Sequence, residues 1–178
     1  MMKKQTGRLA LAGVMTALAL TLLLFTHIPT ATFALAALAA VCGIPVVVEL
    51  GLRTGLLHFF AVATLAALLA FTAEGTGLYI AVFGWYTIFK AWVERRNLPR
   101  ITEWGIKLGA TTLALAAYGA VWVFLLDMVL PTWFAWWMLA PAAIIAGAIF
   151  VEYDLALTGL VTLYYRRIRP KLKGMFRF

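Results

Sequence analysis

Residues 9–26, LALAGVMTALALTLLLFT, hold no charged residue and follow directly on Lys3, Lys4 and Arg8. Coiled as an α-helix, such a run covers about 27 Å, close to the ~30 Å hydrocarbon core of a bilayer. Lipid offers no water to backbone amides, so a segment this apolar satisfies them internally, as a helix. The run stops at Ile28-Pro29, because a residue preceding proline is pushed out of the helical region. A basic start and an apolar middle also characterise secretory signals, but this run exceeds their usual 7–15 apolar residues and no polar cleavage region follows. It is expected to be retained as a first span entering from the cytoplasm.

The same ruler applied outward gives further spans at 31–48, 54–71, 78–93, 104–126 and 142–165, with a basic cytoplasmic tail over 166–178. Glu49, Gly51, Arg53 and Gly55 make a tight turn after the second run, and Glu74-Gly75-Thr76-Gly77 supplies turn chemistry after the third. The polar stretch Glu94 to Glu103 is the one substantial hydrophilic loop inside the sequence. Residues 132–165 are too long for one upright helix and are split at Pro141, which leaves Trp133, Trp136 and Trp137 through Leu139 as an interfacial aromatic segment. The expected fold is therefore a single all-α integral membrane domain over residues 1–178, a bundle of about six transmembrane helices.

Composition agrees. Of 178 residues 65% are hydrophobic and 12% charged, against about 25% charged in a typical soluble domain, so there is too little polar surface to clothe a globule in water. The net charge of +8 points to lipid rather than nucleic acid, because the lysines and arginines sit between apolar runs and at the two ends. With the amino terminus inside, every one of them falls on the cytoplasmic side, which places both termini in the cytoplasm of a multi-pass protein of the cell membrane. Cys42 is the sole cysteine, which excludes an intrachain disulfide and a cysteine metal site.

No catalytic signature stands out: the chain has no HExxH, nucleophile elbow or P-loop, and His27 and His58 are far apart. No cofactor or metal site is expected. Ionisable residues within spans are costly and are the functional candidates. Glu49 and Arg53, Lys90 and Glu94, and Glu103 and Lys107 each stand four apart, suited to same-face ion pairs of structural kind. Asp154 lies twelve residues before Arg166, about 18 Å along a helix axis. Glu152 and Asp154 point about 200° apart, so they do not share one cavity: one is expected inside, the other paired or at a helix interface. On the outer side His27, Glu74 and Asp127, surrounded by Tyr79, Tyr118, Trp122 and several threonines, supply the few polar groups of a largely aromatic pocket. Together with Glu152 and Asp154, these are the candidate substrate-binding residues. Small residues mark a second surface. Gly13 and Ala17, beside Ala12 and Thr16, form a stripe on the first span that permits close helix approach, and Gly51/Gly55 and Gly105/Gly109 share that spacing.

The stretch Arg8 to Leu20, RLALAGVMTALAL, followed by His27-Ile28-Pro29, resembles the first span and loop of substrate-binding S components of energy-coupling-factor transporters. The chain length and the basic end of the last helix, Leu160 to Lys173, are similar too. The resemblance implies a subunit that captures a vitamin-like micronutrient from outside, with a membrane scaffold subunit and a pair of ATPases as partners. It implies that Ala12, Gly13, Thr16 and Ala17 dock the scaffold and that the cavity lies in the outer half. The chain departs from the metal-transporting branch, whose second residue is histidine where this chain has Met2. The alternatives are a non-transporting helical protein of the cell envelope, similar in fold to the rod-shape protein MreD, and an intramembrane enzyme, which would require Glu49, His58 and Asp154 to converge.

Overall fold

The computed structural model describes residues 2–28, 30–70, 74–124 and 136–170. Every regular element among them is helical. Helix α1 (Met2–Leu24) tightens into a 3-10 turn, Phe25–His27, ahead of Pro29. Helices α2 (Thr32–Val41) and α3 (Gly43–Leu50) are two parts of one rod. Pro45 has no N–H to reach back to the Val41 carbonyl, and just before it the rod tightens, with Cys42 N–H donating to the Ala39 carbonyl at 3.3 Å. Helix α3 ends because Gly51 takes φ 91°, a conformation open to glycine without strain, and α4 (Leu52–Leu69) begins at once.

A fourth rod spans residues 74–94 as α5 (Glu74–Leu78), a π-helical turn (Tyr79–Phe83) and α6 (Gly84–Glu94). It starts earlier than the hydropathy suggests, since Glu74 suits the positive end of a helix. Helix α7 (Arg100–Phe124) opens on Pro99, whose carbonyl accepts the Glu103 N–H at 2.9 Å. Helix α8 (Leu139–Leu163) follows a 3-10 turn over Trp136–Met138 and continues as a π-helical turn, Tyr164–Ile168. Pro141 does not divide it, because a proline in the first turn gives up an N–H that has no intrahelical partner. Of the aromatic segment, Trp133 lies outside the described residues.

Four helical stretches are long and apolar enough to cross a membrane: Thr6–His27, Thr32–Leu50, Leu52–Leu69 and Leu139–Ile168. The other two rods, 74–94 and α7, carry lysines and glutamates. The apolar core lies between α1, α2, α4 and the fourth rod, where Ala19, Leu23, Ala36, Ala39, Val62 and Tyr79 are buried together. Alanines here allow α1 and α2 to approach closely, the packing mode available where lipid and helix surface are equally apolar. Helices α7 and α8 lie against one side of this core. The fully buried side chains described on α7 are Lys107 and Thr111, while Tyr118 and Leu108 pack partly buried against the core.

One end of the bundle gathers basic residues. Arg8 lies beside Leu50 and Thr54, Arg169 Nε donates to Glu49 Oε1 at 2.9 Å, and Lys107 binds Glu94. The Glu49 pairing corrects the expected Glu49–Arg53 pair. The glycine stop at Gly51 removes Arg53 from the face of α3, and Arg53 is exposed.

Candidate functional site: a buried ion network and an apolar cleft

Three buried charges on three largely apolar helices meet below the surface. Lys90 on α6, Lys107 on α7 and Asp154 on α8 are 4%, 2% and 3% exposed. Lys90 Nζ lies 2.5 Å from Asp154 Oδ1 and 2.9 Å from Glu94 Oε1. Lys107 Nζ reaches Glu103 at 2.6 Å, Glu94 at 3.0 Å and Asp154 at 3.5 Å. Tyr86 OH donates to Asp154 Oδ1 at 2.6 Å, and Lys90 also donates to the Asp154 backbone carbonyl at 3.3 Å. A buried charge is tolerated when paired and hydrogen-bonded, and each of these three is. Lys90–Glu94 and Glu103–Lys107 form at the expected four-residue spacing, but both lysines turn inward to Asp154 rather than to solvent.

The network was not legible as a unit, because its long contacts join residues 64 and 68 positions apart. The available signal is that neighbouring apolar helices carry intramembrane charges of opposite sign, which tend to pair. The sequence singles out Asp154 by its depth; it does not assign Lys90, Lys107 and Tyr86 to its surroundings.

Beyond the network, away from the basic end, α7 and α8 diverge. Leu108, Thr112, Ala116, Leu139, Ala142 and Gly147 line a cavity of ~440 Å³ between them. An adjoining space of ~120 Å³ is walled by Phe33, Val82, Phe83 and Tyr153. Thr111, Leu115, Ala146 and Phe150 border both. Phe150 is one turn from Asp154, and Thr111 one turn from Lys107, so the ions lie one helical turn from the cleft lining. On the basic side of the network, Lys90, Glu94, Arg95 and Tyr165 border a third space of ~270 Å³ with Ile44 and Val47.

The substrate-binding candidates are dispersed. His27 and Glu74 are exposed at the end opposite the basic loops, and His27 Nδ1 lies 3.1 Å from the Leu24 carbonyl. Tyr79 is buried in the core against Phe59. Tyr118 packs over Gly77, so close that a Cβ there would stand 2.8 Å from its hydroxyl. Asp127 lies outside the described residues, and of Trp122 only the backbone is described. Asp154 faces the interior as an ion-pair partner, while Glu152 is exposed on the opposite side of α8. Neither His27, Glu74, Tyr79, Tyr118 nor Glu152 borders the cleft.

On α1, Gly13 and Ala17 are exposed, and Gly13 has open space before its Cα. Ala12 and Thr16 are partly covered, and Thr16 turns inward. Its hydroxyl donates to the Ala12 carbonyl at 2.9 Å and lies 2.9 Å from His58 Nδ1. A hydroxyl has one proton, so His58 Nδ1–H donates to Thr16, and Nε2 faces the interior with no partner among the described residues. Glu49, His58 and Asp154 thus engage three separate sets of partners. No group of three metal-ligating side chains occurs among the described residues.

Together these features define a helical protein of membrane type with a buried ion network beneath an apolar cleft. Comparison with protein-family models, curated proteins and solved structures gives no match.

Proposed function

We propose that this chain is a substrate-capture subunit of the cell membrane, an S-component-like protein of six spans with both termini in the cytoplasm. It takes a small, largely apolar molecule into the α7–α8 cleft, and partner ATPases acting through a scaffold subunit drive its release inward. The observation that carries this reading is the ~440 Å³ cleft, a size suited to a small ligand, whose walls are apolar and lie one helical turn from the paired ions. The hydroxyls of Thr111 and Thr112 are its polar points. The stripe of Gly13 and Ala17 stays open for a scaffold helix. A cell-envelope interaction protein needs no such cavity.

The test is purification in mild detergent, with mass spectrometry of co-purifying proteins and bound small molecules. A scaffold with ATPases and a bound molecule are expected. Ala146→Phe, which fills the cleft, should deplete the molecule at least tenfold, and Gly13→Leu should weaken the complex. Recovery of envelope proteins alone, without ligand or ATPase, would favour the MreD-like alternative.

A further inference from the structure

Glu152 is the one carboxylate on the outward face of α8 between Leu139 and Ile168, and the structure leaves it exposed among Ile145, Ile149 and Leu155, all exposed as well. No described side chain pairs with it. Its neighbour Asp154 points the other way and is fully engaged by Lys90 and Tyr86, so the network does not reach Glu152.

Depth decides what that exposure means. Arg166 is fourteen residues beyond Glu152, about 21 Å of helix, and Trp137 is fifteen residues before it, about 22 Å. A second route agrees. Lys107 stands seven residues, about 10 Å, inside Arg100; Asp154 pairs with Lys107, and Glu152 is a further ~3 Å along α8. Both routes put the carboxylate in the middle of a ~30 Å hydrocarbon core. A glutamate has too short a stem to reach either headgroup region from there, and a bare carboxylate facing acyl chains is costly.

We propose that this face of α8 receives a transmembrane helix of a partner protein carrying a lysine or arginine at the depth of Glu152. Charge complementarity selects the occupant. A second copy of this chain seated on the same face would oppose one Glu152 with another, and like charges repel. The flanking residues give the partner room: Ala148 and Ala156 stand one turn to either side of Glu152, and Gly159 beyond them is exposed with nothing near its Cα. Small residues at that spacing let backbones approach, which brings a basic side chain within reach of the carboxylate. This inference rests on the membrane reading of the helices and not on the transporter reading, and its face lies on a different helix from Gly13 and Ala17.

The experiment uses the full chain, donor-labelled and reconstituted in phosphatidylcholine vesicles, with three acceptor-labelled single-span leucine-alanine peptides bearing a central lysine, leucine or glutamate. Energy transfer should show the lysine peptide bound at least tenfold more tightly than the leucine peptide. Glu152→Leu and Glu152→Gln should each remove that preference while leaving the thermal unfolding of the chain unchanged, since no described side chain pairs with it. Equal binding of lysine and leucine peptides to the wild type would overturn the proposal, as would a preference that survives both substitutions. Self-association of the chain that disappears in Glu152→Leu would assign the face to a second copy instead. Failure of the chain to float with the vesicles would overturn the membrane reading itself.

Discussion

Asp154 accepts from Lys90 and Tyr86 and lies 3.5 Å from Lys107, so one carboxylate closes a contact among three helices. Removing one partner of a buried pair leaves an uncompensated charge and costs about 3–5 kcal/mol, whereas replacing both partners by apolar side chains of similar volume is often neutral. Asp154→Asn, which keeps the shape and removes the charge, should therefore destabilise the chain by about 3–5 kcal/mol in denaturant unfolding in detergent. The double variant Lys90→Met with Asp154→Leu should recover most of that loss. Equal loss in the single and double variants would show that the loss does not come from an uncompensated Lys90 charge. At this scale the sequence is half legible. Four-residue spacing on one helix exposes Lys90–Glu94 and Glu103–Lys107, since the helical repeat alone brings them together. Which face each helix turns to the others is settled by packing along its whole length, and that alone brings Asp154 to both lysines. The same limit explains Glu49, whose partner Arg169 lies 120 residues away.

The turn between α3 and α4 shows how one motif divides into two functions. Gly51 and Gly55 read alike in the sequence as a GxxxG pair, yet Gly51 stops a helix with φ 91°, and Gly55 sits where α4 crosses α3. A Cβ at Gly55 would come 2.6 Å from Val47 Cγ2, too near for contact without a backbone shift. Overpacking of this kind costs about 1–3 kcal/mol. Gly55→Ala should lose stability in that range, and adding Val47→Ala, which withdraws the opposing methyls, should restore part of it. A double-mutant cycle measures this directly: additive losses would mean that the two residues do not meet. Spacing marks glycines as structural; it does not say which one needs left-handed backbone and which needs empty space. Gly105 and Gly109, with the same spacing, meet nothing within 4 Å.

Taken whole, the molecule was legible in its rods before its contacts, because hydropathy acts over twenty residues and tolerates local error, while side-chain convergence depends on helix phase. The last apolar stretch shows the size of that local error: α8 begins at Leu139, three residues ahead of the expected start at Ala142. The direction in which the bundle faces is predicted from charge. Arg8 beside Thr54, Glu49 with Arg169 and Glu94 with Lys107 draw the amino-terminal, second, fourth and carboxy-terminal boundaries to one end. Thr26 against Gly75 draws the first and third loops to the other. Lysine and arginine near span ends are retained on the cytoplasmic side, so the first end should face inward. Single cysteines placed by Asn97→Cys and Glu74→Cys in a Cys42→Ser background separate the two orientations, because both positions are exposed. In intact cells a membrane-impermeant maleimide should label the Glu74→Cys variant and leave Asn97→Cys unlabelled until the membrane is permeabilised. The reverse pattern would invert the bundle and place the cleft's ion-free end toward the cytoplasm. Labelling of both positions in intact cells would remove the barrier between them, and with it the proposed six-span arrangement.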